Sequence, residues 1–197
     1  GTVNVVVNPL PAAPTATANT PLCVGQTLNL GASTIAGATY TWNGPNSFTS
    51  GLQNPSIPGI TIAGAGTYSV RATLSGCLGP AGTVAVVVNP LPAAPTAGAN
   101  SPLCSGQTLS LTASPIAGAT YSWTGPNSFT STTQNPTIVG ATTLAAGVYS
   151  VNANVLGCTG PNGTVNVIVN QTPTVLTVGA NSPLCSGQTL SLTATST

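Results

Sequence analysis

Thiols are the chemistry this sequence has to offer. Cys23, Cys104 and Cys185 recur 81 residues apart, and Cys77 and Cys158 keep the same step. A thiolate can attack an electrophile, ligate a metal ion or pair with a second thiol. The first use needs a neighbouring base and the second needs further ligands. The 197 residues contain no Asp, Glu, His or Lys, and the single charge is Arg71. General acid–base work therefore has no side chain that titrates near neutrality, and the many Ser and Thr hydroxyls have no imidazole or lysine to activate them. Calcium and magnesium sites are built on carboxylates, and two thiols without His or carboxylate make a poor zinc site. The sequence predicts no catalytic residue, no metal site, no cofactor and no enzyme. Metal binding remains the rival to pairing, and pairing is the favoured use of the cysteines.

The fixed step extends to everything around them. Trp42 and Trp123, Tyr68 and Tyr149, and the Pro-Leu-Pro runs at Pro9 and Pro90 are all 81 apart. One domain is duplicated in line. Residues 9–89 form a first copy and 90–170 a second, with 56 of 81 positions identical, and 171–197 begin a third. Residues 1–8 repeat Gly82 to Asn89 and read as the last strand of a preceding copy. The window is thus expected to belong to a longer array, with the mate of Cys185 lying beyond Thr197.

Short runs of β-branched and apolar residues alternate with small polar ones, the period of half-buried strands. In the first copy they fall at Thr15 to Ala18, Thr27 to Ala32, Thr39 to Asn43, Phe48 to Ser50, within Ser56 to Ile62, Thr67 to Leu74, and Gly82 to Val88. Period two puts Tyr40 with Trp42 on one face, and turns Tyr68, Val70, Ala72 and Leu74 inward from Thr67, Ser69, Arg71 and Thr73. About seven strands with regular turns predict an all-β fold, a two-sheet sandwich in each copy. The prolines of Asn89-Pro90-Leu91-Pro92-Ala93-Ala94-Pro95 favour a semi-rigid extended linker.

Composition excludes other partners. One arginine cannot neutralise a run of phosphates, so nucleic acid is not expected. Apolar stretches of five to seven residues are too short to span a bilayer as a helix, and no secretion signal lies in this window. A formal net charge of +1 leaves the copies without mutual repulsion, which favours association of the chain with other copies of itself.

A cysteine before the second strand, a tryptophan 19 residues later, and a Gly-x-Tyr-x-Val strand leading to a second cysteine resemble the immunoglobulin-like sandwich. Leu144-Ala145-Ala146-Gly147-Val148-Tyr149-Ser150-Val151 looks like its tyrosine-corner strand. Two positions depart from that pattern. Ala replaces the usual acidic residue, and the second cysteine comes nine residues after the tyrosine instead of two. The fuller set, Ser-Pro-Leu-Cys-x-Gly-Gln-Thr-Leu, Tyr-x-Trp-x-Gly-Pro-Asn-Ser-Phe and Gln-Asn-Pro, resembles the tandem Ig-like and PKD-like repeats of large secreted surface proteins of Bacteroidota.

That resemblance implies tandem immunoglobulin-like domains, extracellular or at the cell surface, forming a non-catalytic filament or adhesin stalk. Its alternative is a module that binds glycan or protein, or a spacer beside a secreted enzyme. Disulfides Cys23–Cys77 and Cys104–Cys158 are expected, each tying one end of its sandwich, with Cys185 unpaired in this window. A 54-residue separation would contribute roughly 4 kcal/mol on the chain-entropy estimate. The turn at Asn46, Ser47 and Phe48, with Asn127, Ser128 and Phe129 in the second copy, is the candidate binding tip.

Overall fold

Alternation of buried and exposed side chains becomes strands throughout the computed structural model, which describes residues 1–173 and 175–196. Thr174 and Thr197, at the two ends of the expected third copy, lie outside the described residues. The first copy contains β1 (Ala16–Ala18), β2 (Leu22–Cys23), β3 (Leu28–Ala32), β4 (Thr39–Gly44), β5 (Phe48–Ser50), β6 (Ser56–Ile57), β7 (Gly66–Leu74), β8 (Cys77–Leu78), β9 (Gly82–Val86) and β10 (Val88–Asn89). One sheet runs β1-β3-β6. The other runs β5-β4-β7, with β8 and β9 both pairing β7, and β2 pairs β10 in parallel.

Ten segments make eight strands, close to the seven expected, because the first and last strands are each broken and the two-residue β8 is a short addition to β7. At Val87 the closing strand changes partner: its N–H bonds the Thr20 hydroxyl at 2.9 Å, and its carbonyl accepts from Leu22 at 3.0 Å. Residues before Val87 pair with β7 and those after it with β2. Two antiparallel sheets in this order, with the broken first strand paired in parallel to the last, form an immunoglobulin-like sandwich.

Leu28, Trp42, Tyr68, Val70 and Ala72 lie between the sheets at 1% exposure or less. The inward set expected on β7 is buried except Leu74, which is half-buried beside the hairpin turn, and Arg71 is exposed. The Trp42 indole donates to the Gln53 carbonyl at 3.2 Å. Gln53 and Asn54 of the Gln-Asn-Pro run hold one residue between them. Gln53 Nε2 donates to the Ala32 carbonyl at 2.8 Å, and Asn54 Oδ1 accepts the Ala32 N–H at 3.1 Å. The two side chains thus satisfy the last buried residue of β3, beyond the reach of the two-residue β6.

The second copy repeats the plan with β11 (Ala97–Ala99), β12 (Leu103–Cys104), β13 (Leu109–Ala113), β14 (Thr120–Gly125), β15 (Phe129–Ser131), β16 (Thr137–Ile138), β17 (Gly147–Val155), β18 (Cys158–Thr159), β19 (Gly163–Val167) and β20 (Val169–Asn170). Its sheets are β11-β13-β16 and β15-β14-β17, with β18 and β19 on β17. In the third copy β21 (Leu176–Ala180) pairs antiparallel with β22 (Leu192–Ser196). Residues 1–8 form no strand, and Val3, Val5 and Val7 are exposed. The chain divides into two compact units: Gly1–Ala93 with Asn154–Pro161, and Ala94–Ala153 with Asn162–Thr197.

Differences between the copies compensate in space. Thr17 faces Gly31 across β1–β3, whereas Gly98 faces Thr112 across β11–β13 and Gly179 faces Thr193 across β21–β22. Each glycine lies where a Cβ would press on the facing threonine hydroxyl, so each pair accommodates one threonine. Likewise Gly64 lies against Ile60, where the second copy has Ala145 and Ala141. Gly64→Ala therefore drives a methyl into Ile60 and should cost about 1–3 kcal/mol. Adding Ile60→Ala recreates the second copy's pair and should recover part of that loss, as read by chemical denaturation; a double variant no more stable than the single one would contradict the coupling.

Candidate functional site

The recurring Thr/Ser-Pro-Leu-Cys-x-Gly-Gln stretch is built into the scaffold residue by residue. In the first copy Leu22 is buried, Gln26 Oε1 accepts the Cys23 N–H at 2.8 Å, and the Gly25 N–H donates to the Ile60 carbonyl at 2.8 Å. Gln107 holds Cys104, and Gln188 holds Cys185, in the same way at 2.8 and 2.9 Å. Each motif cysteine is therefore fixed by its backbone. Cys23 and Cys104 also stand beside the end of their own closing strands, Cys23 opposite Asn89 and Cys104 opposite Asn170.

The hairpin cysteines stand elsewhere. Cys77 follows the turn after β7 and faces Leu74, and Cys158 faces Val155. Along β7, Val86 is opposite Gly66 while Cys77 is opposite Leu74. The eight residue steps between them span about 26 Å at roughly 3.3 Å per residue. Asn89, the register partner of Cys23, lies past Val86, so Cys23 is farther still from Cys77. A disulfide requires Cα atoms within about 7 Å.

The expected pairs Cys23–Cys77 and Cys104–Cys158 are therefore corrected. The bond present is Cys23–Cys158, with Cα atoms 5.6 Å apart, and Cys77, Cys104 and Cys185 are free. Both bonded residues belong to the first compact unit, which includes the hairpin Asn154–Pro161. The sequence carried only the signal against a bond within one copy, since a cysteine ahead of the second strand and one after the long tyrosine strand fall at opposite ends of the sheet.

The candidate tip is a tight hairpin. Asn46 and Ser47 have φ of 54° and 57°, and Phe48 N–H bonds the Pro45 carbonyl at 3.1 Å, as in a type I′ turn. Asn127 and Ser128 repeat it at 53° and 58°. Asn46, Ser47, Asn127 and Ser128 are exposed, but Phe48 and Phe129 are half-buried. The Phe48 ring meets Tyr68 edge-on with centroids 5.6 Å apart, and Phe129 meets Tyr149 at 5.5 Å. Both phenylalanines thus serve the core. Beside the first turn lies a cleft of about 220 Å³ bordered by Asn46, Phe48, Ile57, Thr61 and Tyr68. It is smaller than the roughly 300–1,000 Å³ of small-molecule pockets.

Tyr68 also closes a tyrosine corner, its hydroxyl donating to the Gly64 carbonyl at 2.9 Å, and Tyr149 does the same to Ala145 at 2.9 Å. Burial raises both phenols above the ordinary value of 10.0. Below about pH 10 the phenol is neutral in folded and unfolded chains and its contribution is constant. Above that, the unfolded chain releases protons that the folded chain keeps, so stability falls as pH rises through the folded value. No carboxylate, imidazole or lysine side chain adds curvature at lower pH. The melting temperature should stay level between about pH 4 and 9 and then fall. The Tyr68→Phe, Tyr149→Phe double variant should lose about 1 kcal/mol per site at neutral pH and show a shallower alkaline fall. An unchanged alkaline limb would assign that fall to other groups.

Neither family models nor curated proteins match this sequence. Among solved structures, it is similar to a chain of the complex between the mouse coronavirus receptor-binding domain and its murine receptor, at 15% identity and TM-score 0.49, covering 79% of this chain and 99% of that one. Murine CEACAM1b is similar at 14% identity and TM-score 0.46, with the same coverages. The human OSCAR ligand-binding domain is similar at 15% identity and TM-score 0.34, covering 80% of this chain and 99% of that one.

Proposed function

We propose that this chain is a structural repeat segment of an extracellular filament or cell-surface stalk, of the Ig-like and PKD-like kind its motifs resemble. The observation that carries the reading is the fate of the motif residues. Gln26, Gln53, the Tyr68 hydroxyl and the bonded Cys23 are all spent on the scaffold, and the thiols that remain free have no acid, base or further ligand in the sequence to make them catalytic. A disulfide favours an oxidising exterior. The near absence of charge favours self-association. Electron microscopy of the oxidised chain at rising concentration tests the reading: fibres support it, and dispersed particles at the highest concentration remove the filament.

A second reading, a binding module for surface glycan or protein, has one observation in its favour, the cleft beside the exposed Asn46. A glycan array that gives signal with the native chain and none with Asn46→Ala would support it, and a blank array with the native chain would count against the glycan form.

A further inference from the structure

Cys23 and Cys158 are different kinds of cysteine, one from the motif before a second strand and one from the hairpin after a seventh. The free thiols divide the same way. Cys104 is the motif cysteine of the second copy and Cys77 the hairpin cysteine of the first. We propose that Cys104 and Cys77 are the two halves of one repeating staple, in which the motif cysteine of one copy bonds the hairpin cysteine of another. Their partner is therefore a further copy of this same repeat. The inference deepens the structural reading and rests on it only in taking another copy as the partner.

Two observations carry it besides the free thiols. Cys104 shares with bonded Cys23 the glutamine on its N–H and the closing-strand asparagine opposite, and where Cys23 is half-buried Cys104 is exposed. Cys77 stands at the other half. Its Sγ lies 3.7 Å from the Asn8 carbonyl, and Asn8 is the counterpart of Asn89, the residue opposite Cys23. Asn8 Nδ2 also reaches the Ser75 carbonyl at 3.5 Å, fixing that residue against the hairpin. The hairpins lean on equivalent prolines too, Gly79 on the Pro11 carbonyl and Gly160 on that of Pro92. Cys77 is thus held where a motif cysteine arrives in the bonded case.

The bond forms by exchange with a low-molecular-weight disulfide such as oxidised glutathione. The Cys77 thiolate attacks one glutathione sulfur, a mixed disulfide forms and one glutathione thiolate leaves. The Cys104 thiolate of another chain then attacks the Cys77 sulfur, the protein disulfide forms and the second glutathione leaves. Two protein thiols are oxidised and one glutathione disulfide is reduced.

The test uses the whole chain in glutathione redox buffer, run on non-reducing gels and mapped by mass spectrometry after elastase digestion, since Arg71 offers the only tryptic site. A ladder of covalent multimers is expected, its links joining Cys77 to Cys104 or to Cys185, the third motif cysteine. Cys77→Ser should lose the ladder while keeping Cys23–Cys158, and Cys104→Ser with Cys185→Ser should do the same. Links of Cys77 to Cys77 or Cys104 to Cys104 in comparable yield, a ladder that survives Cys77→Ser, or monomers with free thiols at high concentration would each overturn the proposal. Microscopy on the same samples separates it from the filament reading: mixed-type links without fibres remove the filament alone, and fibres without such links remove the staple alone.

Discussion

Gly82→Ala is expected to unfold the first copy or bring it close to unfolding, because its added methyl has nowhere to go. Gly82 opens β9 opposite Val70, and a Cβ there would land on the carbonyl oxygen of Pro14, with the Pro14 carbonyl carbon at 3.0 Å and the Ala16 N at 3.6 Å. Those are backbone atoms, so no rotamer change relieves the contact. Pro14 is itself fully buried and leads into β1, so relief requires β1 and β9 to part at the edge where the two sheets meet. Overpacking typically costs about 1–3 kcal/mol and more where backbone must move, so a loss of about 3 kcal/mol or more is expected. That is a large share of the ~5–15 kcal/mol of a typical domain. Gly163→Ala, against the Pro95 carbonyl, should behave alike in the second copy. The control is Gly51→Ala, whose Cβ would meet only the Tyr40 carbonyl at 3.9 Å and whose counterpart is Thr132. It should change stability by less than about 0.5 kcal/mol in chemical denaturation. Equal losses at Gly82 and Gly51 would show that the close approach is not what matters.

Such approaches mark the limit of what the sequence could tell. Strand positions were legible because alternation is a property of neighbouring residues: Tyr40 with Trp42, and Tyr68 with Val70 and Ala72, declare their face within three to five positions. The tyrosine corner was legible through resemblance to the immunoglobulin-like strand, and its hydroxyl reaches only four residues back. Pairings across sheets and copies depend on distances that no local pattern encodes. The Thr17–Gly31 and Gly98–Thr112 exchange looks like two unrelated substitutions until register sets them opposite each other. The cysteines are the sharpest case. Equal spacing in both copies suggested one bond per copy, yet the nine-residue length of β7 carries Cys77 to the end of the sheet away from Cys23. The candidate tip was half legible. Asn46 and Ser47 are exposed as a turn sequence suggests, whereas Phe48 turns back onto Tyr68 because a tight turn places it over the core edge.

Trp42→Ala should have the other large effect, and each copy supplies its own reporter for it. Trp42 is completely buried and its indole N–H is bonded to the Gln53 carbonyl. Truncation removes the largest side chain from a core whose remaining members are mostly Leu, Val, Ala and Tyr, and leaves that carbonyl without its donor. Trp-to-Ala changes in cores cost about 3–5 kcal/mol. Trp42→Phe keeps most of the volume and loses the hydrogen bond, so it should cost less, by an amount that separates packing from the bond. The cores of the two copies share no residue, and each holds one tryptophan. In Trp42→Ala the remaining fluorescence comes from Trp123, so the denaturation midpoint of the second copy can be read while circular dichroism follows both. The expected result is loss of the first copy's transition, with the Trp123 transition kept near its original midpoint. A Trp123 transition that collapses together with the first copy would mean that the two copies fold as one cooperative body, and the one-domain-per-copy account of stability would have to be abandoned.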